Sequence, residues 1–164
     1  MSDEVTNVVV AGLGGQGVIK ASDILADAAF RAGYDVKKSE IHGMSQRGGS
    51  VSSDVRFGRE VASPMVPPGE ADFLVVQAAD QIDANRHQLR PGGVLLVPAD
   101  LDHAELPHPR SLNVALIGLL SSYLQIPEEA WQEAVRANLT ESLHEVNLAA
   151  LELGRASRAG GGVG

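Results

Sequence analysis

The sequence predicts a single three-layer α/β domain with a mostly parallel, Rossmann-like sheet and C-terminal helices. Short β-branched runs alternate with stretches of helical periodicity, as in a sheet covered by helices on both faces. The first such run ends in a glycine turn, Gly12-Leu-Gly-Gly-Gln-Gly17, and leads directly into a helical pattern. Beyond residue 111 three helical patterns follow one another without an intervening strand.

The elements follow in order. Residues 5–12, VTNVVVAG, read as a buried strand. From Gly17 to Ala32 the apolar residues recur at helical intervals, and Gly33 is placed as the cap beyond the helix. Residues 34–40 form a second strand and 41–50 a polar, glycine-rich loop. Residues 51–58 alternate with a period of two, as in a strand with one wetter face. The proline-rich stretch 59–70 can only be extended or turning. A buried strand over 71–78, a helix over 79–89, a turn at Arg90-Pro-Gly-Gly93 and a strand over 94–99 come next. After a surface excursion the helices are 112–124, apolar almost all round, then 128–139 after Pro127, and 143–153. For the last, Ser142 and Glu145 suggest a capping box and Gly154 an end. The domain is therefore expected to span 1–154, with 155–164 a flexible tail.

A chain of 164 residues suffices for one well-packed domain and not for two ordinary ones. The net charge of −8 and the absence of a basic run argue against nucleic acid as a partner. No cysteine is present, so neither a disulfide nor a thiolate-held cluster or zinc belongs to this chain. No apolar run approaches the roughly 18–20 residues that span a bilayer, and the N-terminus has no secretory pattern, so a cytoplasmic location off the membrane is expected.

Gly12, Gly14 and Gly17 satisfy the dinucleotide-binding G-x-G-x-x-G, and Glu40 lies near the place of its ribose-holding acid. Lys37 and Lys38 precede that acid, and another glycine loop follows it, which the fingerprint does not ask for. Four glycines in six residues also suit an anion site, where free N–H groups and the positive helix end face a phosphate or carboxylate.

The two loops together, GLGGQG (12–17) and SEIHGMSQRGGSVSSDVRFG (39–58), with NVALIG (113–118), resemble the gamma-type small subunit of 2-oxoacid:ferredoxin oxidoreductases. Gly15 and Gln16 of GLGGQG are what that family adds to the dinucleotide fingerprint, and the later His-Gly-Met-Ser-Gln-Arg-Gly-Gly with its preceding Ser-Glu is similar to the arylpyruvate, or indolepyruvate, branch. The likeness runs over roughly 5–154, with the region near 100–110 and the C-terminus trimmed. It implies an accessory subunit, inactive alone. It completes the site of an enzyme that oxidatively decarboxylates a 2-oxoacid to the acyl-CoA. Thiamine diphosphate, Mg and iron–sulfur clusters then belong to a large alpha subunit, which passes electrons to ferredoxin, with coenzyme A as co-substrate.

The implied binding residues are Gly12, Gly14, Gly15, Gln16 and Gly17 in the first loop. In the other loop they are Glu40, Gly43, Met44, Ser45, Arg47, Gly48 and Gly49. Arg47 offers a planar donor to a carboxylate or phosphate, or else braces the loop against Glu40. His42 is a weak candidate for acid–base work, and Ser45 has no evident activating base. Met44 suits a subunit interface or an apolar pocket, and Asn113 a cap or polar anchor near the first loop. Asp100, Asp102, His103 and His108 are spaced irregularly among prolines, as in a solvated loop rather than a metal site. An independent NAD(P)-binding oxidoreductase and a non-catalytic binding module on the same fold remain the alternatives.

Overall fold

The computed structural model describes residues 4–42 and 49–160. Five strands, β1 (Thr6–Leu13), β2 (Asp35–His42), β3 (Ser50–Gly58), β4 (Ala71–Val76) and β5 (Leu89–Leu96), form one sheet in the order β2-β3-β1-β4-β5. β1, β4 and β5 are parallel neighbours, whereas β3 runs antiparallel to both β1 and β2. The sheet is therefore mixed, with a parallel core. The period-two pattern of 51–58 identified β3 as a strand but not its insertion between β1 and β2.

Helices α1 (Val18–Arg31), α3 (Leu112–Ser121), α4 (Glu128–Asn138) and α5 (His144–Gly160) share one apolar core with one face of the sheet. α1 lies over β1–β3 and carries α4, while α3 reaches β4 and β5 and packs on α5. Val8, Val10, Val55, Phe57, Val75 and Leu96 point into this layer, as does Trp131, which is fully buried. α3 is buried almost all round because it is sandwiched between sheet and α5, as its largely apolar sequence requires.

The opposite face is thinner. Val9, Leu74 and Val76 pack with Val66 and with Ile82 of the short helix α2 (Ile82–Asn85). The proline-rich strap is held there by three sheet side chains. Asp35 accepts from the Val61 N–H (2.7 Å), Arg56 donates to the Ser63 carbonyl (2.8 Å), and Asp54 accepts from the Val66 N–H (2.9 Å). Asp54 thus sits almost wholly buried on the face expected to be wetter. Burial pushes its carboxyl above the ordinary range, opposed by the Val66 hydrogen bond and the Arg56 charge.

Three expected boundaries move. The helix over 79–89 is broken into two 3-10 turns, 79–81 and 86–88, flanking the four residues of α2. The turn expected at 90–93 lies within β5, where Gly92 at φ 79° sits beside an irregular register with β4. A 3-10 turn over Glu141–Leu143 precedes α5, which does not stop at Gly154 but continues to Gly160. Gly154 is a packing residue: a Cβ there would lie 1.9 Å from the Ala115 carbonyl oxygen, and one on Gly118 would lie 2.2 Å from that of Leu151. The expected tail is helical over 155–160. Arg155 bonds Ser121 (3.1 Å), and Arg158 lies 3.7 Å over the Tyr123 ring; residues 161–164 are outside the described residues.

Candidate functional site

From β1 the sheet extends one way through β3 and β2 and the other way through β4 and β5. Such a switch point leaves a crevice outside the carboxyl ends of the strands. At the end of β1 the chain makes the glycine turn, and at the end of β4 stands Gln77.

Hydrogen bonds fix the turn from several sides. The Gln16 side chain folds back, its Oε1 accepting from the Leu13 N–H (2.7 Å), while its own N–H donates to the Leu13 carbonyl (3.1 Å). Gln77 Nε2 donates to the Gln16 carbonyl (2.8 Å) and Asn113 Nδ2 to that of Gly17 (3.1 Å). The polar anchor expected at Asn113 is this contact. Gly15 (φ 87°) and Gly17 (φ 76°) occupy the left-handed region, and a Cβ on Gly17 would meet Asn113 Nδ2 at 2.5 Å. Gly12 is a strand residue whose Cβ would strike Val18 and Gln16 at 2.9 Å.

The other glycine loop returns to the same end of the sheet because β3 is antiparallel to β1. The Gly14 N–H donates to the Gly49 carbonyl at 2.8 Å, so the downstream end of that loop rests on the first turn. This bond occupies the Gly14 N–H. The N–H groups of Gly15, Gly17 and Val18 find no acceptor among the described residues. They open the first turn of α1, where the helix dipole favours an anion. A cavity of about 550 Å³ lies before them, lined by Gly15, Gln16, Gly17, Gln77, Arg110 and Asn113.

Arg110 and Gln77 were not among the expected site residues. Arg110 is exposed, follows Pro109 in a 3-10 turn, and makes no ion pair among the described residues. Its signal in the sequence is its position just ahead of Asn113 and the buried helix. Gln77 is 2% exposed and its Oε1 has no partner among the described residues. A polar residue directly after a buried strand was its signal.

Glu40 lies elsewhere. β3 separates β2 from β1, and in register Glu40 lies two strands, about 10 Å, from Val10 and so farther still from the glycine turn. Lys38 Nζ bonds both Asp23 (2.6 Å) and Glu40. Burial works against the Lys38 ammonium, but its hydrogen bonds to the two carboxylates outweigh this and hold it above its usual range. A dinucleotide half, by contrast, sets its acidic strand beside the first strand. The backbone of His42 closes β2 opposite Val51. Gly43, Met44, Ser45, Arg47 and Gly48 lie outside the described residues.

The 98–111 excursion is a series of self-capped turns. Asp100 accepts from the Val97 N–H, Asp102 from Ala104 and His108 Nδ1 from Arg110, and His103 meets the Pro98 carbonyl. Among the described residues no group of three or more His, Asp or Glu side chains could hold a metal ion, and no helix is long and apolar enough to cross a membrane.

Residues 7–111 match the family described as pyruvate ferredoxin/flavodoxin oxidoreductase. The indolepyruvate oxidoreductase subunit IorB of Thermococcus kodakarensis is 33% identical, over 90% of this chain and 93% of that one. The protein of the same name from Archaeoglobus fulgidus is 30% identical over 90% and 92%. Among solved structures, the gamma subunit of a keto/oxoacid ferredoxin oxidoreductase from Geobacter sulfurreducens superimposes with a TM-score of 0.81. It covers 95% of this chain and 98% of that one at 24% identity, and so shares the fold. The two glycine loops, their order and these likenesses together establish that the chain belongs to the pyruvate ferredoxin/flavodoxin oxidoreductase family.

Proposed function

We propose that this chain is the accessory subunit of a cytoplasmic, thiamine diphosphate-dependent 2-oxoacid:ferredoxin oxidoreductase. Its substrate is indolepyruvate or another arylpyruvate, and its product the acyl-CoA. The relatives named as indolepyruvate oxidoreductase subunits, alike over nearly their whole length, support the substrate class. Thiamine diphosphate, Mg and the iron–sulfur clusters belong to the large alpha subunit; a chain without cysteine offers a cluster no thiolate. When bound there, thiamine diphosphate supplies the decarboxylation chemistry.

This chain's own part is to bind and to enclose. The Gly15, Gly17 and Val18 N–H groups would hold a coenzyme A phosphate or a partner carboxylate at the positive end of α1, with Arg110 as the nearby cation. In this reading Arg47, with Gly43, Met44, Ser45, Gly48 and Gly49, contributes to binding the same anionic group. The observation that supports it most is the Gly14–Gly49 hydrogen bond, which seats one glycine loop on the other at the switch point.

Co-expression with the thiamine- and cluster-bearing partner tests the proposal. The purified complex is expected to reduce ferredoxin with indolepyruvate and coenzyme A, and the isolated chain to show no turnover. Failure to form a complex, or micromolar NADH binding by the isolated chain, would overturn it.

A further inference from the structure

Two peptide planes of the glycine turn are gripped by side chains from elsewhere in the chain. The Gln16 carbonyl accepts from Gln77 Nε2 at 2.8 Å. The Gly17 carbonyl accepts from Asn113 Nδ2 at 3.1 Å and from the Ala21 N–H at 2.9 Å. A trans peptide is planar, so holding its carbonyl also holds the N–H on the other side of the same plane. The first grip therefore sets the direction of the Gly17 N–H, and the second that of Val18. The two grips are unequal. Helix α1 holds the Gly17 carbonyl even without Asn113, whereas among the described residues Gln77 alone holds that of Gln16. Gly17, without a side chain and in left-handed backbone at φ 76°, leaves the Gln16–Gly17 peptide sterically free to turn over. Turned over, it would present a carbonyl oxygen where an anion needs an N–H.

Gln77 is itself well anchored. Its N–H donates to the Ala11 carbonyl at 2.8 Å, which prolongs the β1–β4 pairing, and the residue is 2% exposed. Its Oε1, however, is buried without a partner among the described residues, a cost that a methionine or leucine of similar size would avoid. The bond made by the nitrogen accounts for an amide at this place; stability does not. We infer that Gln77 is a positioning residue of the anion site, keeping the Gln16–Gly17 peptide turned so that its N–H stays free for the ligand. This role rests on the anion reading of the turn. It adds that the competence of the turn is imposed by the end of β4 and is not intrinsic to the glycine sequence.

Calorimetric titration of the full chain with phosphate tests this, together with the amide NMR signals of Gly17 and Val18 and unfolding in urea. The wild-type chain is expected to bind phosphate with both amide signals shifting. In Gln77→Met the affinity is expected to fall about tenfold and the Gly17 signal to stop responding. Stability should hold or rise, because the variant also removes the unpartnered oxygen. Gln77→Leu gives the same readout if the first variant fails to fold. A variant that binds phosphate as tightly as the wild type, with the Gly17 signal still responding, overturns the inference and leaves the anion site standing. A fall in affinity matched by a fall in stability, or the failure of both variants to fold, also overturns it, since Gln77 would then serve the fold. No phosphate binding by the wild type overturns both.

Discussion

Two sets of glycines, one within the helical layer and one at the end of β1, are there for different reasons. Gly118 and Gly154 sit where α3 crosses α5, both helical, both pressed against carbonyl oxygens of the other helix. Gly15 and Gly17 sit at the strand-to-helix turn in left-handed backbone, and Gly15 has nothing within 4 Å of the place a Cβ would take. The first set lets two backbones touch. The other leaves N–H groups uncovered, as a ligand site requires and a core does not. Glycine content alone does not distinguish the two uses; the neighbours of the missing Cβ do.

The sharpest way to break this contrast is Gly154→Val. Its side chain would be forced into the α3 backbone, and a loss of about 3 kcal/mol or more is expected by urea unfolding. A near-neutral result would mean that the crossing is not close-packed. Gly17→Ala comes next, at about 2 kcal/mol, because left-handed strain adds to the clash with Asn113. It should also weaken phosphate binding in the same titration, which Gly154 variants that still fold should not do. Gly15→Ala isolates conformational strain, since its Cβ meets open space. About 1 kcal/mol is expected, with the anion site weakened more than the fold.

The smallest expected effect is a control on the far face of the sheet. The buried Asp54 carboxyl is raised above its unfolded value, so the folded state binds its proton more readily. Its contribution to stability is fully present below the ordinary carboxylate range and is lost as pH rises through the raised value. Asp54→Asn keeps an acceptor for the Val66 N–H without the buried charge. A modest rise in Tm at pH 7 is expected, shrinking to nothing below the ordinary carboxylate range. A fall in Tm at pH 7 would show that the charge is better compensated than Arg56 alone explains.

Periodicity and turn residues made β1, α1, Gly33 and the largely apolar α3 legible, because each is determined by residues close in sequence. The β3 insertion was not, since alternation reports a strand and says nothing of its neighbours. Gly154 misled for a related reason. A glycine after an apolar run signals a cap, and only the distant Ala115 carbonyl reveals it as a helix contact. At the site, the first glycine turn and Asn113 could be read directly. Arg110 and Gln77 could not, because each matters through a loop or strand end that the fold brings to the switch point.

The pairing of β2 with β3 fastens both feet of the loop between them. His42 lies opposite Val51, and Gly49 is tied to Gly14. Whatever sequence fills 43–48 therefore starts and finishes on backbone that does not depend on it. Substitutions that fall between these two feet are therefore expected to leave the β2–β3 pairing and the Gly14–Gly49 bond in place.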